Sequence, residues 1–305
     1  MIIEHAPAKI NLFLHVGGRR EDGFHPLQSL AVFTQAGDVL ALEAASNLSL
    51  AIAGPFAKGL EGEGDNLVLR AAKALLEKSA LSPQGAKMTL TKNLPVASGI
   101  GGGSADAAAA LRGLRRLWNL EMDDDALQAI AAGLGSDIPA CALSAPCFME
   151  GRGEILRAPQ SMPHVPMLLV NPGVAVPTKD VFSALQTRSG VEMSLPQGRF
   201  QDTADLLRFL ETTHNDLEEP ARRLQPVIGK VLAALASLPG ALFARMSGSG
   251  ATCFAIFPDD ACCDRAAEIL KKAHPDWWIA PSFAPEIGIT RDQPGQDIGP
   301  TAQGL

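Results

Sequence analysis

The stretch "LPVASGIGGGSADAAAALRGL", residues 94–114, sets four glycines within Gly99–Gly103 and then five alanines among the next seven residues. Glycine accepts positive φ and lets a backbone come close to a ligand, whereas alanine is the strongest helix former. The stretch therefore reads as a loop held against a helix start. The preceding "AKMTLTKNL" (86–94) has the period of a strand, so the loop joins strand to helix. A helix N-terminus carries unpaired N–H groups and a partial positive charge, and a glycine-rich approach makes it an anion site, with phosphate the usual anion. Ser104 and Asp106 suit capping of that helix. Capping needs one such residue and leaves the glycines unexplained, although a purely structural strand-to-helix corner remains open. The loop is not a Walker A sequence, because no Lys-Ser or Lys-Thr follows the last glycine, and it lacks the G-x-G-x-x-G spacing of dinucleotide folds.

Outward from the loop, strand and helix patterns alternate. "KINLFLHV" (9–16) and "LQSLAVFTQ" (27–35) read as strands around the turn-like "GGRREDGFH" (17–25). "NLVLRAAKALLEKSA" (66–80) reads as a helix with Asn66 as N-cap. Asp123 or Asp124 starts a helix ending near Gly133, and Asp137 follows on a Leu-Gly-Ser turn. "APCFMEGRGEILRAP" (145–159) reads as two short strands around Gly151–Gly153. The Pro-rich "APQSMPHVP" (158–166) marks a division near residue 160. Beyond it, "MLLVNPGVAVPT", "ALFARMSGSG" and "ATCFAIF" contain strands, and "TKDVFSALQ", "DTADLLRFL", "QPVIGKVLAALASL" and "DACCDRAAEILKKA" are helical. The expectation is an α/β (α+β) chain in layers.

At 305 residues the chain has room for about two domains, and its 47% apolar content supports a core in each. A net charge of −7 argues against nucleic-acid or anionic-membrane partners and favours a small molecule. The start lacks a basic segment followed by an apolar one, and no run approaches the roughly 18 apolar residues of a membrane helix, so a cytoplasmic location is expected. Five cysteines, with Cys262 and Cys263 adjacent, form neither a disulfide framework nor paired C-x-x-C ligands. Cys141 and Cys147 are expected to pack as small apolar residues.

Four further stretches, "PAKINLFL" (7–14), "DGFH" (22–25), "LGSDIPA" (134–140) and "MSGSGATCFAIF" (246–257), complete a pattern. With the glycine loop they resemble, in order and from Pro7 to about Phe257, the GHMP superfamily of small-molecule kinases. The resemblance implies two domains, an ATP-binding half at 1–160 and a C-terminal half at 161–287, with the active site in the cleft between them and a flexible tail at 288–305. It implies ATP and Mg²⁺, without assigning ligands to the metal. Pro95, Val96, Ala97, Ser98, Gly99, Ile100, Gly101, Gly102, Gly103, Ser104 and Ala105 match the ATP-phosphate loop of the family, and Lys9 and Asp137 its catalytic pair. "PAKINLFL" and "DGFH" are similar to the branch acting on the 2-hydroxyl of 4-diphosphocytidyl-2-C-methyl-D-erythritol in the non-mevalonate isoprenoid route. By that resemblance Phe24 stacks on cytosine, His25 bonds its edge, Phe182 supplies a second aromatic face, and Asn11 and Thr178 contact the sugar alcohol or its phosphates. Ser144 and Ala145 stand where relatives commonly carry two glycines.

The chemistry asks for such a pair independently. Phosphoryl transfer to a hydroxyl needs a proton acceptor and a group that stabilises charge on the transferring phosphoryl. A Lys and an Asp about 4 Å apart at an effective dielectric near 20 attract by about 4 kcal/mol, which keeps the carboxylate ionised and makes it a weak base. A loose transition state tolerates this, because its proton moves late. A kinase for another small alcohol (homoserine, mevalonate or a sugar) and a catalytically silent sensor are the alternatives. "DGFH" weighs against the first, and retention of both Lys9 and Asp137 against the second.

Overall fold

The structure is a computed structural model and describes residues 1–18, 25–58, 60, 66–78, 85–185, 195 and 198–288. Phe24 and the tail after Gly288 lie outside the described residues. The strand β1 (Ile2–Val16) carries the first motif and is buried without interruption from Ala6 to Val16. The alternation expected of a half-buried strand is absent because β1 is covered on both faces. It pairs antiparallel with the long β2 (Leu27–Ala45). The same sheet holds β3 (Leu48–Ala53), β4 (Gly85–Thr91), β5 (Cys147–Glu150) and β6 (Ile155–Arg157), in the order β3-β4-β2-β5-β6 with β1 beside β2. One face is covered by α1 (Leu67–Lys78), α2 (Gly102–Leu117), α3 (Asp124–Leu134) and α4 (Ile138–Leu143). Leu75, Leu111 and Leu114 meet Leu40, Leu42 and Met88 there in a first core.

The second sheet has the order β10 (Trp278–Ala284), β7 (Val165–Asn171), β9 (Cys253–Ile256) and β8 (Phe243–Met246). Against it α5 (Thr178–Ser183), α7 (Glu218–Leu224), α8 (Val227–Ala236) and α9 (Asp260–Ala273) close a second core that includes Val181, Ala221, Val231 and Ala266. A third core joins the sheets. Ile10, Leu12, Phe13 and Val32 pack with Met167, Leu169, Phe254 and Ile256, and with Leu206 and Leu210 of α6 (Thr203–Glu211).

Helix starts follow the expected caps. Asn66 Oδ1 accepts from Val68 N at 2.9 Å, and Asp123 Oδ1 accepts from Ala126 N at 2.8 Å. Three elements go beyond the sequence reading: β3, β10 and the short helix α4. All five cysteines are free, with Cys141 and Cys147 buried. No helix among the described residues is long and apolar enough to cross a membrane.

Candidate active site

The glycine loop meets the second half of the chain through Gly99. A Cβ on Gly99 would stand 2.6 Å from Ser247 O and from Gly250 N, and its φ of +76° is itself a glycine conformation. The absence of a side chain lets the loop lie against the "SGSG" turn. Ser247 Oγ donates to Gly99 O at 3.2 Å, and Thr252 N donates to Ser98 O at 3.1 Å. Gly101, at φ +66°, is the left-handed N-cap of α2, and a Cβ there would lie 3.3 Å from Lys9 Cβ. Gly102 and Gly103 open the helix itself, where unpaired N–H groups concentrate. The glycines thus do three jobs: a close approach, a reversal, and a bare helix start.

Lys9 sits where β1 and β2 slip register between Pro7 and Lys9, an irregularity of the kind that re-aims side chains near functional sites. Its N–H donates to Ile100 O at 2.9 Å, tying β1 to the loop. Its ammonium lies 2.7 Å from Asp137 Oδ1, with side-chain exposures of 5% and 40%. Burial is the largest single influence and pulls the Lys9 pKa down, but the charge and hydrogen bond of Asp137, together with the neighbouring Cys141 and Cys147, outweigh it and hold the ammonium above its usual value. Asp137 occupies the N-cap position of α4 yet makes no capping hydrogen bond, so its carboxylate is given to Lys9. Ser144, where the sequence pattern suggested glycine, takes the left-handed C-cap of α4 at φ +47° and is held by donating to Cys141 O at 2.6 Å.

A cavity of about 1120 Å³ opens over this pair. Lys9, Asn11, Pro95, Val96, Ala97, Ser98, Gly99, Gly101, Gly102, Gly103, Ser104, Asp137, His25, Thr178 and Phe182 all line it. Of the expected loop residues, Ile100 and Ala105 do not: both are buried, Ile100 in the core between the sheets and Ala105 in the core beneath α2. Asn11 Nδ2 donates to Ser29 Oγ at 2.8 Å, and Thr178 Oγ1 pairs with Ser249 Oγ at 2.9 Å. The His25 ring lies 5.7 Å from that of Phe182, and its Nδ1 is 3.0 Å from Gly17 O. A carbonyl only accepts, so Nδ1 carries the proton, and a neutral ring then leaves Nε2 as an acceptor.

Sequence reasoning missed the charged floor of the site. Lys92 pairs with Asp38, and with Asp106 Oδ2 at 2.6 Å, all three being buried. Asp38 Oδ1 also accepts from the N–H groups of Asn93 and Leu94, at the root of the loop. Asp106 is therefore a buried ion-pair member and not the expected cap. Burial pushes its pKa up to about 7, with Asp38 adding and Lys92 opposing. The signal was available in a lysine and a carboxylate flanking the loop. The "HNDLEEP" stretch (214–220) reads in the sequence as a helix-starting or loop-fixing element, and α7 begins within it. Asn215 Nδ2 donates to Met246 O and Gly248 O at 2.8 Å each, pinning the "SGSG" turn. Beside it, the ring of buried His15 lies 4.3 Å from that of His214, tilted by 37°, and its pKa is pulled down to about 4 by burial and by the neighbouring His214.

Residues 66–145 match the GHMP kinases N terminal domain and residues 194–276 the GHMP kinases C terminal domain. The 4-diphosphocytidyl-2-C-methyl-D-erythritol kinase of Rhodospirillum rubrum is 48% identical over 92% of this chain and 91% of its own length. This chain belongs to that kinase family, within the GHMP kinases. The kinase of the same name from Cereibacter sphaeroides is 50% identical over 91% of this chain and 97% of its own. A crystal structure of 4-(cytidine 5'-diphospho)-2C-methyl-D-erythritol kinase superposes with a TM-score of 0.75 at 35% identity, covering 93% of this chain and 99% of the other. Kinases of this family are ATP-dependent small-molecule kinases. The N-terminal match contains the glycine loop, Lys92, Asp106 and Asp137, and the C-terminal match contains the "SGSG" turn that the loop rests on.

Proposed function

We propose that the chain transfers the γ-phosphoryl of ATP to the 2-hydroxyl of 4-diphosphocytidyl-2-C-methyl-D-erythritol. The observation that carries the reading is the Lys9–Asp137 pair, 2.7 Å apart, beside a bare helix start in one cavity. The names and near-complete coverage of the relatives favour this acceptor. The phosphates of ATP lie on the loop Pro95–Ala105 and the start of α2, where N–H groups and the helix dipole attract them. The nucleotide base takes the apolar wall of Leu60, Leu67, Leu90 and Val96. The acceptor occupies the end lined by His25, Thr178 and Phe182, and Phe24 completes its cytosine site. The His25 Nε2 lone pair suits the exocyclic amine of cytosine and repels the carbonyl of uracil. The reading keeps 1–160 as the ATP-binding half and 161–287 as its partner.

Asp137 Oδ takes the proton of the acceptor hydroxyl as that oxygen closes on the γ-phosphorus. Lys9 fixes the carboxylate and places its charge against the transferring group. No cluster of three or more His, Cys, Asp or Glu among the described residues would cage a metal. The side-chain oxygen donors lining the cavity are hydroxyls, the amides of Asn11 and Asn66, and the single carboxylates of Asp106 and Asp137. That set suits Mg²⁺ carried by ATP, since this ion keeps phosphate and water ligands, and the Ser104 hydroxyl would take one position. Held there, Mg²⁺ would supply neutralisation of the phosphate charge.

The test compares ADP release with the cytidine compound, homoserine and mevalonate, in wild type and Asp137→Asn. Turnover is expected with the cytidine compound alone, and the substitution is expected to lower kcat by about 10²–10⁴-fold while ATP binding changes little. Turnover confined to another alcohol, or an Asp137→Asn chain within threefold of wild type, would refute the reading.

A further inference from the structure

β1 slips register against β2 twice, between Pro7 and Lys9 and again between Asn11 and Phe13. The first slip aims Lys9. Around the second, two carbonyls of β1 bond to side chains: Leu12 O accepts from Arg245 at 2.7 Å, and Phe13 O accepts from the Ser29 hydroxyl at 2.6 Å. Ser29 lies on β2 and is fully buried. A hydroxyl has a single proton, and this one is committed to a carbonyl, which only accepts. Toward its other neighbour, Asn11 at 2.8 Å, Ser29 can therefore only accept, so the atom that Asn11 turns to it is the amide nitrogen. The Asn11 backbone is held as well, its N–H donating to Ser247 Oγ at 3.1 Å. That leaves Asn11 Oδ1 without a hydrogen-bond partner among the described residues, on a side chain that lines the cavity two residues along β1 from Lys9.

An amide oxygen takes a hydrogen bond and gives none, so this one asks for a donor on the molecule that enters. The acceptor proposed above, on which this inference rests, carries free hydroxyls at C1 and C3, on either side of the reacting hydroxyl at C2. We infer that Ser29 is a positioning residue for the transfer: by locking the Asn11 amide it makes Oδ1 a fixed acceptor for one of those neighbouring hydroxyls. Holding the neighbour fixes the rotation of the carbon chain and turns the reacting hydroxyl toward Asp137. Without the Ser29 oxygen the amide can present either end to the cavity, and the acceptor loses a partner of fixed sense. The requirement is for a polyol and not for a lone alcohol.

The experiment compares kcat/KM for the cytidine compound and for its 1-deoxy and 3-deoxy forms, in wild type, Ser29→Ala, Ser29→Cys and Ser29→Thr, with the KM for ATP measured beside them. Wild type is expected to lose about tenfold or more with one of the two deoxy forms. Ser29→Ala should lose about tenfold with the parent compound and then treat the parent and that deoxy form alike, within about threefold, while the KM for ATP stays within about twofold. Ser29→Cys nearly keeps the shape, and its thiol bonds weakly, so it should behave as the alanine variant does and carries the test if that variant fails to fold. Ser29→Thr keeps the hydroxyl and should keep the wild-type preference. A merely structural role would lower all three acceptors together. That pattern, a preference that survives in both Ser29→Ala and Ser29→Cys, or a wild type indifferent to both deoxy forms overturns the inference and leaves the proposed reaction standing. Failure of wild type to phosphorylate the parent compound overturns the reaction, and the inference with it.

Discussion

Asp106 and Asp38 share one ammonium, Lys92, at the buried floor of the cavity. Two carboxylates on one cation leave an excess negative charge, and Asp106 Oδ1 is buried with no hydrogen-bond partner. Its raised pKa, about 7, follows from that geometry. The folded chain then keeps a proton that the unfolded chain releases near the ordinary carboxylate value. Above that value and up to about pH 7 the folded state binds more protons, so this site's contribution to stability falls as pH rises through the window and levels off above it. Asp106→Asn keeps the shape and removes the titration. The expected outcome is that wild type loses thermal stability relative to Asp106→Asn between pH 5 and pH 8, measured as paired melting profiles. A constant difference across that range would contradict it. Subtracting the two profiles also removes His15, whose low pKa acts in the opposite direction as pH falls. In the sequence Lys92 and Asp106 flank the loop, but Asp106 looked like a cap, because pairing across 14 and 54 residues is a product of the sheet register. Lys9 and Asp137 were legible only as members of a motif. Their separation of 2.7 Å comes from β1, the loop and α4 converging.

The glycine loop and α2 act as one element, and its four glycines are not equivalent. At Gly99 a methyl group would meet backbone on the "SGSG" turn at 2.6 Å, and backbone there has no rotamer to yield. Gly99→Ala is therefore expected to push the loop off its support, raising the KM for ATP at least tenfold and lowering the melting temperature. At Gly103 the same methyl group would meet only Leu67 Cδ1, at 3.6 Å, an ordinary contact within a helix. Gly103→Ala should stabilise the fold by about 0.5–1 kcal/mol through helix propensity. Melting curves with and without ATP separate the two variants, and equal effects at both positions would show that the support by the turn is unimportant. Elements with strong local signals were readable in the same way: the loop, α2 with its alanines, and the helices capped by Asn66 and Asp123. The missed elements lacked such a signal. α4 has six residues, under two turns, so no apolar period develops. β10 contains Pro281, which argues against a strand until the sheet order shows β10 at an edge, where a missing N–H costs no ladder bond.

On the scale of the whole molecule, two sheets with separate helical layers suggest two folding units, but β1 belongs to both. Ala6 lies in the first core, Ile10, Leu12 and Phe13 in the core between the sheets, and Leu14 and Val16 in the second. Leu14 exchanges backbone hydrogen bonds with His214 and Asp216, at 3.0 and 2.9 Å. Arg245 on β8 is buried with no carboxylate in ion-pair reach among the described residues, and its guanidinium goes to carbonyls and to the Thr213 hydroxyl. It donates to Leu12 O at 2.7 Å, to Thr213 O at 2.6 Å and to Leu210 O at 3.1 Å, crossing from the second sheet to β1. Burial alone, partly offset by Glu218, brings its pKa down to about 10, so it stays charged at neutral pH. Losing either half would expose the middle core and strand these carbonyls, each a cost of about 1–3 kcal/mol. Unfolding is therefore expected to be one cooperative transition. Trp118 reports on the first core and Trp277 on the second. Variants retaining either tryptophan alone should melt at the same temperature, and Arg245→Met should lower both midpoints together by several degrees. Two separated transitions, or a shift confined to the Trp277 reporter, would mean that the halves fold independently and that β1 is merely shared surface.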